Sequence, residues 1–294
     1  MSRLYCFLLL LPALATANTQ SLTWVGCGIS KKSYVTDLAK VFEQRSGIKI
    51  NIEGGGATKG IRDTASGHAD LGGTCRFLLP DDPREAAVGL EPVAWDALAI
   101  IVHKDNPVDS LSMAQVEDIY SGKITNWSQV GGAPAPIQLF TRKSKFSGVG
   151  RTLRKLVFAD VDYEIASTQK FPSSGPLEEA VTATPGALGM TGVSSARLRD
   201  VKILSIEGVA PTYDNIKSGD YRMYRPLYLV YNPDSPKIAL VKQFIKFTHS
   251  ARGRKIMKEN GTLPYIEGLP LVMKQIDQEL SVHSRRKNGQ ESSE

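Results

Sequence analysis

Short apolar segments alternate with amphipathic ones over most of the chain. The pattern predicts strands over 21–25 and 48–52, and apolar side chains at helical spacing between them predict a helix over 34–42. A further helix is predicted over 59–66 and a third strand over 69–72. This alternation of strands and helices predicts an α/β fold in which mostly parallel sheets are flanked by helices.

The middle and the end of the chain continue the same alternation. Continuous apolar runs over 97–102 and 227–231 predict strands that are buried on both faces. Ser112, followed three residues later by Gln115, predicts a capping box that begins a helix, and Gly122 predicts its end. The remaining predicted elements are a strand over 137–141 and helices over 148–158, 177–183, 237–248, 251–260 and 271–283.

Residues 1–17 match the pattern of a secretory signal peptide. Arg3 supplies the positive charge, residues 4–11 form the apolar run, and Ala15-Thr16-Ala17 fits a cleavage site that would leave Asn18 at the mature N-terminus. The apolar run is too short to span a bilayer comfortably. We therefore expect a soluble, exported and periplasmic protein, cleaved after Ala17. A retained N-terminal helix is the alternative.

Composition narrows the class of protein further. Of the 294 residues, 41% are hydrophobic and 22% are charged, which is typical of a globular chain with room for about two domains. This mixture disfavours a collagen, a coiled coil, a disordered chain and a multi-span membrane protein. The formal net charge of +6 is spread along the chain, which indicates an anionic partner without requiring nucleic acid.

Three glycine-rich turns each follow a predicted strand and begin a predicted helix. They cover residues 26–30, 54–60 and 147–150, and the last of them comes just after Arg142. Glycine lets the backbone approach a ligand closely, and the free N–H groups of a helix N-terminus favour an anion. An arginine can grip a tetrahedral oxyanion with several donors. The alternative is that these are ordinary tight connections, but three turns with an arginine favour an oxyanion site.

The sequence lacks the usual motifs of nucleotide binding and of catalysis. It has no phosphate-binding P-loop motif and no G-x-S-x-G elbow, and residues 54–60 do not fit the dinucleotide-binding spacing. Its histidines are scattered without the spacing of metal ligands; they are His68, His103, His249 and His283. We therefore predict no catalytic residue, no metal and no cofactor.

The segment Gly122-Lys123-Ile124-Thr125-Asn126-Trp127 resembles the G-K-I-T-N-W signature of the periplasmic phosphate-binding proteins of ABC transporters, the PstS-like family. Residues 92–96, 106–108, 131–132 and 184–189 match the same family in the same order, so the resemblance covers nearly the whole mature chain. It implies a type II periplasmic-binding fold, in which two α/β lobes joined by a hinge close on a buried ligand.

The resemblance also implies how the chain is divided and what it does. Lobe 1 would comprise 18–100 plus 226–284, lobe 2 would comprise 101–225, and 285–294 would be a disordered tail. The lobes would capture an inorganic oxyanion, most simply phosphate, for a membrane ABC permease, with the protein acting as a monomer and not as an enzyme. One alternative is a sensor of phosphate, arsenate or arsenite that signals to a membrane kinase. A phosphatase is a less favoured alternative.

The family's ligand-binding positions can be carried over residue by residue. Ser30 and the backbone of Lys31 match the positions that bind phosphate in the first turn. Arg142 matches the arginine that grips phosphate. Ser147 and Gly148 match the first two positions of the family's S-G-T motif, after a loop that is one residue longer than expected.

Other positions depart from the family pattern. Val149 stands where the threonine of S-G-T is expected, and Ala57 or Thr58 stands where a serine hydroxyl is expected. Cys75 aligns with the aspartate that accepts the proton of hydrogen phosphate, so the discrimination against sulfate that this carboxylate gives is put in doubt. Arg76 follows directly and would favour an anion of higher charge or different shape.

The same alignment brings Cys27 and Cys75 together at the ends of neighbouring strands. Three interpretations follow: a structural disulfide, a functional thiol pair, or two unlinked cysteines that only pack. A functional pair would be either a redox switch or a site for a soft ligand such as arsenite.

Overall fold

The structure is a computed structural model that describes residues 20–277, 280 and 284. The predicted signal peptide, its cleavage site and the predicted tail over 285–294 lie outside the described residues. None of the helices in the described ranges is long and apolar enough to cross a membrane.

The strands alternate with helices and form one large sheet and one small one. The strands are β1 (Ser21–Gly26), β2 (Lys49–Gly54), β3 (Leu71–Thr74), β4 (Gly89–His103), β5 (Ser110–Leu111), β6 (Gln138–Arg142), β7 (Gln169–Phe171), β8 (Ala187–Gly192), β9 (Val201–Ile203), β10 (Ser205–Ile206), β11 (Tyr224–Tyr231) and β12 (Leu263–Pro264). The large sheet has the order β2-β1-β3-β11-β4-β8-β6-β7, with β9 and β12 also on β4, and β5 pairs with β10.

Helices connect most of these strands. They are α1 (Gly28–Ser30), α2 (Thr36–Ser46), α3 (Ala57–Ala65), α4 (Met113–Ser121), α5 (Gly148–Leu153), α6 (Ser174–Ala183), α7 (Val193–Ala196), α8 (Tyr213–Ser218), α9 (Ile238–His249) and α10 (Ala251–Glu259). Single π-helical turns, Lys31–Val35 and Arg154–Phe158, join α1 to α2 and extend α5. Residues 270–277 are also helical, which agrees with the first part of the helix predicted over 271–283.

The long strand β4 gives the large sheet two halves. Its residues 89–97 pair with β11, whereas Leu98–Val102 pair with β8. The first half therefore contains β1, β2, β3 and β11, and the second contains β6, β7, β8 and β9. The predicted α/β class is confirmed, but the sheet is mixed. The pairs β1–β2, β1–β3, β6–β7 and β6–β8 are parallel, whereas β4 and β11 are antiparallel to their neighbours.

The apolar run predicted as a buried strand is the centre of β4. Leu98, Ile100 and Val102 have no solvent exposure, because this strand lies inside the sheet and both of its faces are covered. The strand is much longer than predicted. Its first part contains Glu91 and Asp96, and these polar residues break the apolar pattern on which the prediction depended.

The local signals for α4 are confirmed. The Ser112 hydroxyl accepts a hydrogen bond from the Gln115 N–H at 3.1 Å, and the Gln115 side chain accepts one from the Ser112 N–H at 2.8 Å. Gly122 follows the helix with φ of +83°, the left-handed conformation that glycine adopts without strain.

We expect Gly73→Ala to destabilise the first half of the sheet. A Cβ at Gly73 would lie 2.1 Å from Cζ2 of the buried Trp24 ring. Overpacking of this kind costs about 1–3 kcal/mol. Urea unfolding should show a lower midpoint at an unchanged slope. Gly54→Ala is the matched control, since a Cβ at Gly54 meets nothing within 4 Å. Equal midpoints for the two variants would contradict this packing.

Candidate functional site

The first two glycine-rich turns meet at one edge of the sheet. β1, β2 and β3 run parallel, so their carboxyl ends lie side by side. The Gly56 N–H donates to the Gly26 carbonyl at 3.1 Å, and the Cys27 N–H donates to the Gly73 carbonyl at 3.1 Å. These bonds join the turn after β1 to the turn after β2 and to the end of β3.

The third turn, which comes from the second half of the sheet, meets the same edge. A Cβ at Gly148 would lie 2.2 Å from Sγ of Cys75, so the backbone and the sulfur are in direct contact there. The Thr58 hydroxyl faces the Phe146 carbonyl at 3.4 Å. All three predicted turns therefore converge on one place.

Two helix N-termini place backbone N–H groups at this edge. The first N–H groups of a helix have no acceptor within the helix. At the start of α3 and α5 these donors belong to Ala57, Gly148 and Val149, and the Ala57 and Val149 side chains are buried. The Ser147 hydroxyl caps α5 by accepting from the Gly150 N–H at 3.0 Å. Ala57 and Val149 lack the hydroxyl groups expected at these positions, but their backbone N–H groups are still present.

Ser30 and Lys31 differ in what they can offer to a ligand. Ser30 is fully buried, and its hydroxyl lies 3.2 Å from Sγ of Cys27. The Lys31 N–H donates to the Cys27 carbonyl at 3.1 Å, as part of the helical turn. The predicted backbone contact from Lys31 is therefore corrected, because its donor is already used within the helix.

Arg142 lies at the end of β6 and points into this region. Its Nη1 donates to the Ser174 hydroxyl at 2.9 Å and its Nη2 to the Pro172 carbonyl at 2.8 Å. Its Nε is buried and has no hydrogen-bond partner among the described residues. Burial lowers the pKa of the Arg142 guanidinium. The Cys75 and Cys27 thiols oppose this shift, whereas the positive charge of Arg225 adds to it.

Arg225 is a second arginine at the site, and the sequence analysis missed it. It is 2% exposed, and its Nη2 lies 3.7 Å from Oδ2 of the buried Asp96. Its Nε and Nη2 have no hydrogen-bond partner in the described part of the chain, and neither has Oδ2 of Asp96. The other Asp96 oxygen accepts from the Ser194 hydroxyl at 2.6 Å, and burial raises the pKa of this carboxyl. A charged residue two positions before the apolar run over 227–231 was the available signal.

Arg76 pairs with a buried glutamate and not, as predicted, with an anionic ligand. Its guanidinium binds both oxygens of the fully buried Glu85 at 2.7 and 2.8 Å. Its other donors go to the Phe146 carbonyl at 2.9 Å, the Phe77 carbonyl at 2.7 Å and the Thr58 hydroxyl at 3.2 Å. Since these contacts use all five N–H donors of the side chain, Arg76 holds the turns together and has no donor left for a ligand.

The two halves are also joined by an ion pair beside the site. Lys32, from the first half, lies 3.1 Å from a carboxylate oxygen of Glu178 on α6, and it donates to the Ser195 hydroxyl at 2.8 Å. Glu178 is fully buried and also binds Arg199 at 3.1 Å and Thr191 at 2.6 Å. This network holds the halves in contact around the three turns.

Cys27 and Cys75 are adjacent, buried and free; the predicted disulfide is not formed in the structure. The Cys75 thiol donates a hydrogen bond to Cys27, which lowers the pKa of the Cys27 thiol to about 6 although burial opposes this. The same hydrogen bond and burial raise the pKa of Cys75 well above its usual value. The Ser30 N–H also donates to Sγ of Cys27, at 3.4 Å. The described residues contain no group of three or more His, Cys, Asp or Glu side chains that could hold a metal.

Comparison with known sequences places the chain among solute-binding proteins. A family model for the PBP superfamily domain matches residues 15–252. The phosphate-binding protein PstS of Pseudomonas aeruginosa is 29% identical over 242 residues, which cover 74% of each chain. The PstS protein of Bacillus subtilis is 26% identical over 246 residues, which cover 83% of this chain and 80% of that protein.

Solved structures agree with the sequence comparison. A phosphate ABC transporter substrate-binding protein from Clostridium perfringens, with bound phosphate, aligns with a TM-score of 0.74 and 26% identity over 83% of this chain and 99% of that one. An ABC-type phosphate transport receptor from Vibrio cholerae aligns with a TM-score of 0.64 and 30% identity over 83% and 100%. These similarities confirm the predicted type II periplasmic-binding fold.

The cysteine pair gives a direct prediction. In reduced protein we expect Cys27 to ionise near pH 6, visible as thiolate absorbance in the ultraviolet. Cys75→Ala removes the donor and leaves the burial, so the pKa of Cys27 should rise to the ordinary cysteine value of about 8.5 or above. Cys75→Ser keeps a donor and is the control, in which Cys27 should still ionise well below that value. Identical titrations for the two variants would show that the hydrogen bond is not the cause.

A second prediction concerns the buried pair of Arg76 and Glu85. Glu85→Gln leaves a buried guanidinium without its opposite charge, a change that costs about 3–5 kcal/mol in buried pairs. Denaturant unfolding should show a large loss of stability. Asp200→Asn is the control, because the Lys104–Asp200 pair is exposed and should leave the midpoint unchanged. Similar, small losses for both variants would contradict a structural role for Arg76.

Proposed function

The chain belongs to the PBP superfamily, and we propose that it is an exported solute-binding protein that captures phosphate, or an inorganic oxyanion much like it, for an ABC permease. One observation carries the proposal: three helix-opening turns, the buried Arg225 and the half-buried Arg142 converge at one edge of the sheet, with guanidinium donors that the described protein groups leave unused. The names of the PstS relatives and of the phosphate-bound structure support phosphate as the ligand.

The balance of charge favours an anion at this edge. Arg142 and Arg225 bring two positive charges, and Asp96 at 3.7 Å from Arg225 brings one negative charge without a direct hydrogen bond. Buried charges are costly unless they are paired and hydrogen-bonded. When the cysteine pair beside them carries no charge, an oxyanion between the arginines supplies the missing negative charge and accepts hydrogen bonds from the unused N–H donors.

We assign the ligand contacts by the donors that each residue has left. The proposed contacts are the hydroxyls of Ser30 and Ser147, the backbone N–H groups of Ala57, Gly148 and Val149, and the guanidinium groups of Arg142 and Arg225. The Thr58 hydroxyl donates to the Phe146 carbonyl at 3.4 Å and would support the site without touching the ligand. Cys75 would face the ligand where the family has an aspartate. Lys31 and Arg76 would support the site without touching the ligand, since their donors are used elsewhere.

Binding would work by closure of the two halves. The first half contributes Ser30 and the start of α3, and the second contributes Arg142 and the start of α5, so a bound anion is shared between them. A ligand that contacts both halves stabilises the closed form over the open one. The Lys32–Glu178 ion pair adds to the closed form without touching the ligand. No covalent step is needed, and we propose no catalytic residue.

Other parts of the proposal follow from the sequence. Lobe 1 over 18–100 plus 226–284 and lobe 2 over 101–225 are consistent with the exchange of partners along β4. Export with cleavage after Ala17 and action as a monomer complete the proposal. The permease is the proposed partner; transfer of the ligand signal to a sensor kinase stays a prediction.

Arg142→Gln should weaken phosphate binding by at least about tenfold. A hydrogen bond to a charged group is worth about 1.5–3 kcal/mol, and 1.4 kcal/mol corresponds to tenfold in the dissociation constant. Titration calorimetry with inorganic phosphate measures the effect. Arg45→Gln, at an exposed position on α2, is the control and should bind as the wild type does. If the wild type gives no heat and no thermal stabilisation with phosphate, arsenate or sulfate, the oxyanion proposal fails.

A further inference from the structure

We propose that Cys27 and Cys75 form a reversible disulfide inside the ligand site, and that oxidation of this pair raises the affinity of the site for oxyanions. The inference rests on the proposed function and adds regulation of the same site. The two cysteines would then be a site of reversible oxidation and not a permanent structural disulfide.

The two sulfurs are placed for such a bond. Cys27 and Cys75 follow the carboxyl ends of the neighbouring parallel strands β1 and β3, and the Cys27 N–H donates to the Gly73 carbonyl at 3.1 Å. The thiols are hydrogen-bonded to each other, and their residues are 5% and 2% exposed. Neighbouring strands lie about 4.7–4.9 Å apart, within the range of about 4.4–6.8 Å that separates the Cα atoms of a disulfide.

The pair also lies within the proposed ligand site. Sγ of Cys75 is in contact with the backbone of Gly148 at the start of α5. Sγ of Cys27 caps α1 by accepting from the Ser30 N–H at 3.4 Å, and it lies 3.2 Å from the Ser30 hydroxyl. The sulfurs therefore use donors that an oxyanion bound beside Ser30 would share.

The reduced and oxidised pairs differ in charge. The charged and titratable side chains that face the pair are Arg142, Arg225, Asp96 and Tyr34. In the reduced pair, the thiolate of Cys27 is a resident negative charge that offsets the arginines and repels an anionic ligand. The Ser30 N–H, which donates to Sγ of Cys27 at 3.4 Å, and the positive charge of Arg225 favour this charged form. A disulfide has no charge, so the arginines and the Ser30 donors become available to the ligand.

The redox step is an ordinary thiol–disulfide exchange. The oxidant is the disulfide form of a dithiol, the class of oxidant that acts on exported proteins. The Cys27 thiolate attacks one oxidant sulfur, which releases the other as a thiolate. Cys75 then loses its proton to that thiolate and attacks Sγ of Cys27, which releases the first oxidant sulfur. In total, two electrons pass to the oxidant and the chain gains one disulfide. The oxidant takes one proton from Cys75 and one from water and becomes a dithiol.

Linkage gives the proposal a second, independent consequence. If oxidation tightens phosphate binding by some factor, phosphate must favour the disulfide over the dithiol by the same factor. The equilibrium between the protein and a glutathione buffer should therefore shift toward the disulfide when phosphate is added. A purely structural disulfide that lies away from the ligand would show no such shift.

The experiment compares the mature chain in its two redox forms. Mass spectrometry under non-reducing conditions should show the loss of two hydrogens after treatment with oxidised glutathione. Calorimetry with inorganic phosphate should then give binding at least about tenfold tighter for the oxidised form, the effect expected from removing a like charge nearby. The glutathione equilibrium should move by the same factor. Cys27→Ser is the control, in which oxidant and reductant should leave the phosphate affinity unchanged.

The outcomes separate the two proposals. If no disulfide forms, or if both redox forms bind phosphate equally, or if the reduced form binds more tightly, the redox proposal is overturned while the proposed function stands. If neither form binds phosphate or another oxyanion, the proposed function fails and the coupling fails with it, even if the mass change proves the disulfide.

Discussion

The buried Arg225 and the half-buried Arg142 bring two positive charges to one place, and this determines how the molecule is organised. Arg142 ends a strand of the second half and Arg225 begins the strand that closes the first half, so the positive charges come from separate parts of the chain. Asp96 is buried beside Arg225, but its Oδ2 accepts no hydrogen bond from the described residues. The glycine turns, the helix N-termini and the thiol pair all lie around this positive charge. The first two offer N–H donors to an anion, and the thiol pair can change its own charge.

Local signals in the sequence were sufficient for the elements that carry the turns. The capping box at Ser112 and the glycine turns depend on neighbouring residues, and the structure has them where they were predicted. The length of β4 could not be predicted in the same way, because its polar first part is a strand only through pairing with β11, which is more than a hundred residues away.

The site was predictable in its outline and not in its charge pairs. Resemblance to a family led to Ser30, Arg142 and Ser147. It could not show that Arg76 is occupied by Glu85, since that contact depends on how a loop folds back over the strand ends. Arg225 was missed for a similar reason. A single charged residue before an apolar run indicates a buried charge only when its partner is known, and the partner here, Asp96, comes from a distant strand.

The exchange of partners along β4 also has a consequence for how the chain folds. The first half contains β1, β2 and β3 from the start of the chain, but its inner strand β11 is made only at residues 224–231. During synthesis from the N-terminus, the strands of the second half are therefore made before β11, which the first half needs to be closed. Contacts between residues so far apart in sequence slow folding. The early strands would remain unpaired on one edge during this time, which is a period of exposure to aggregation and to chaperones.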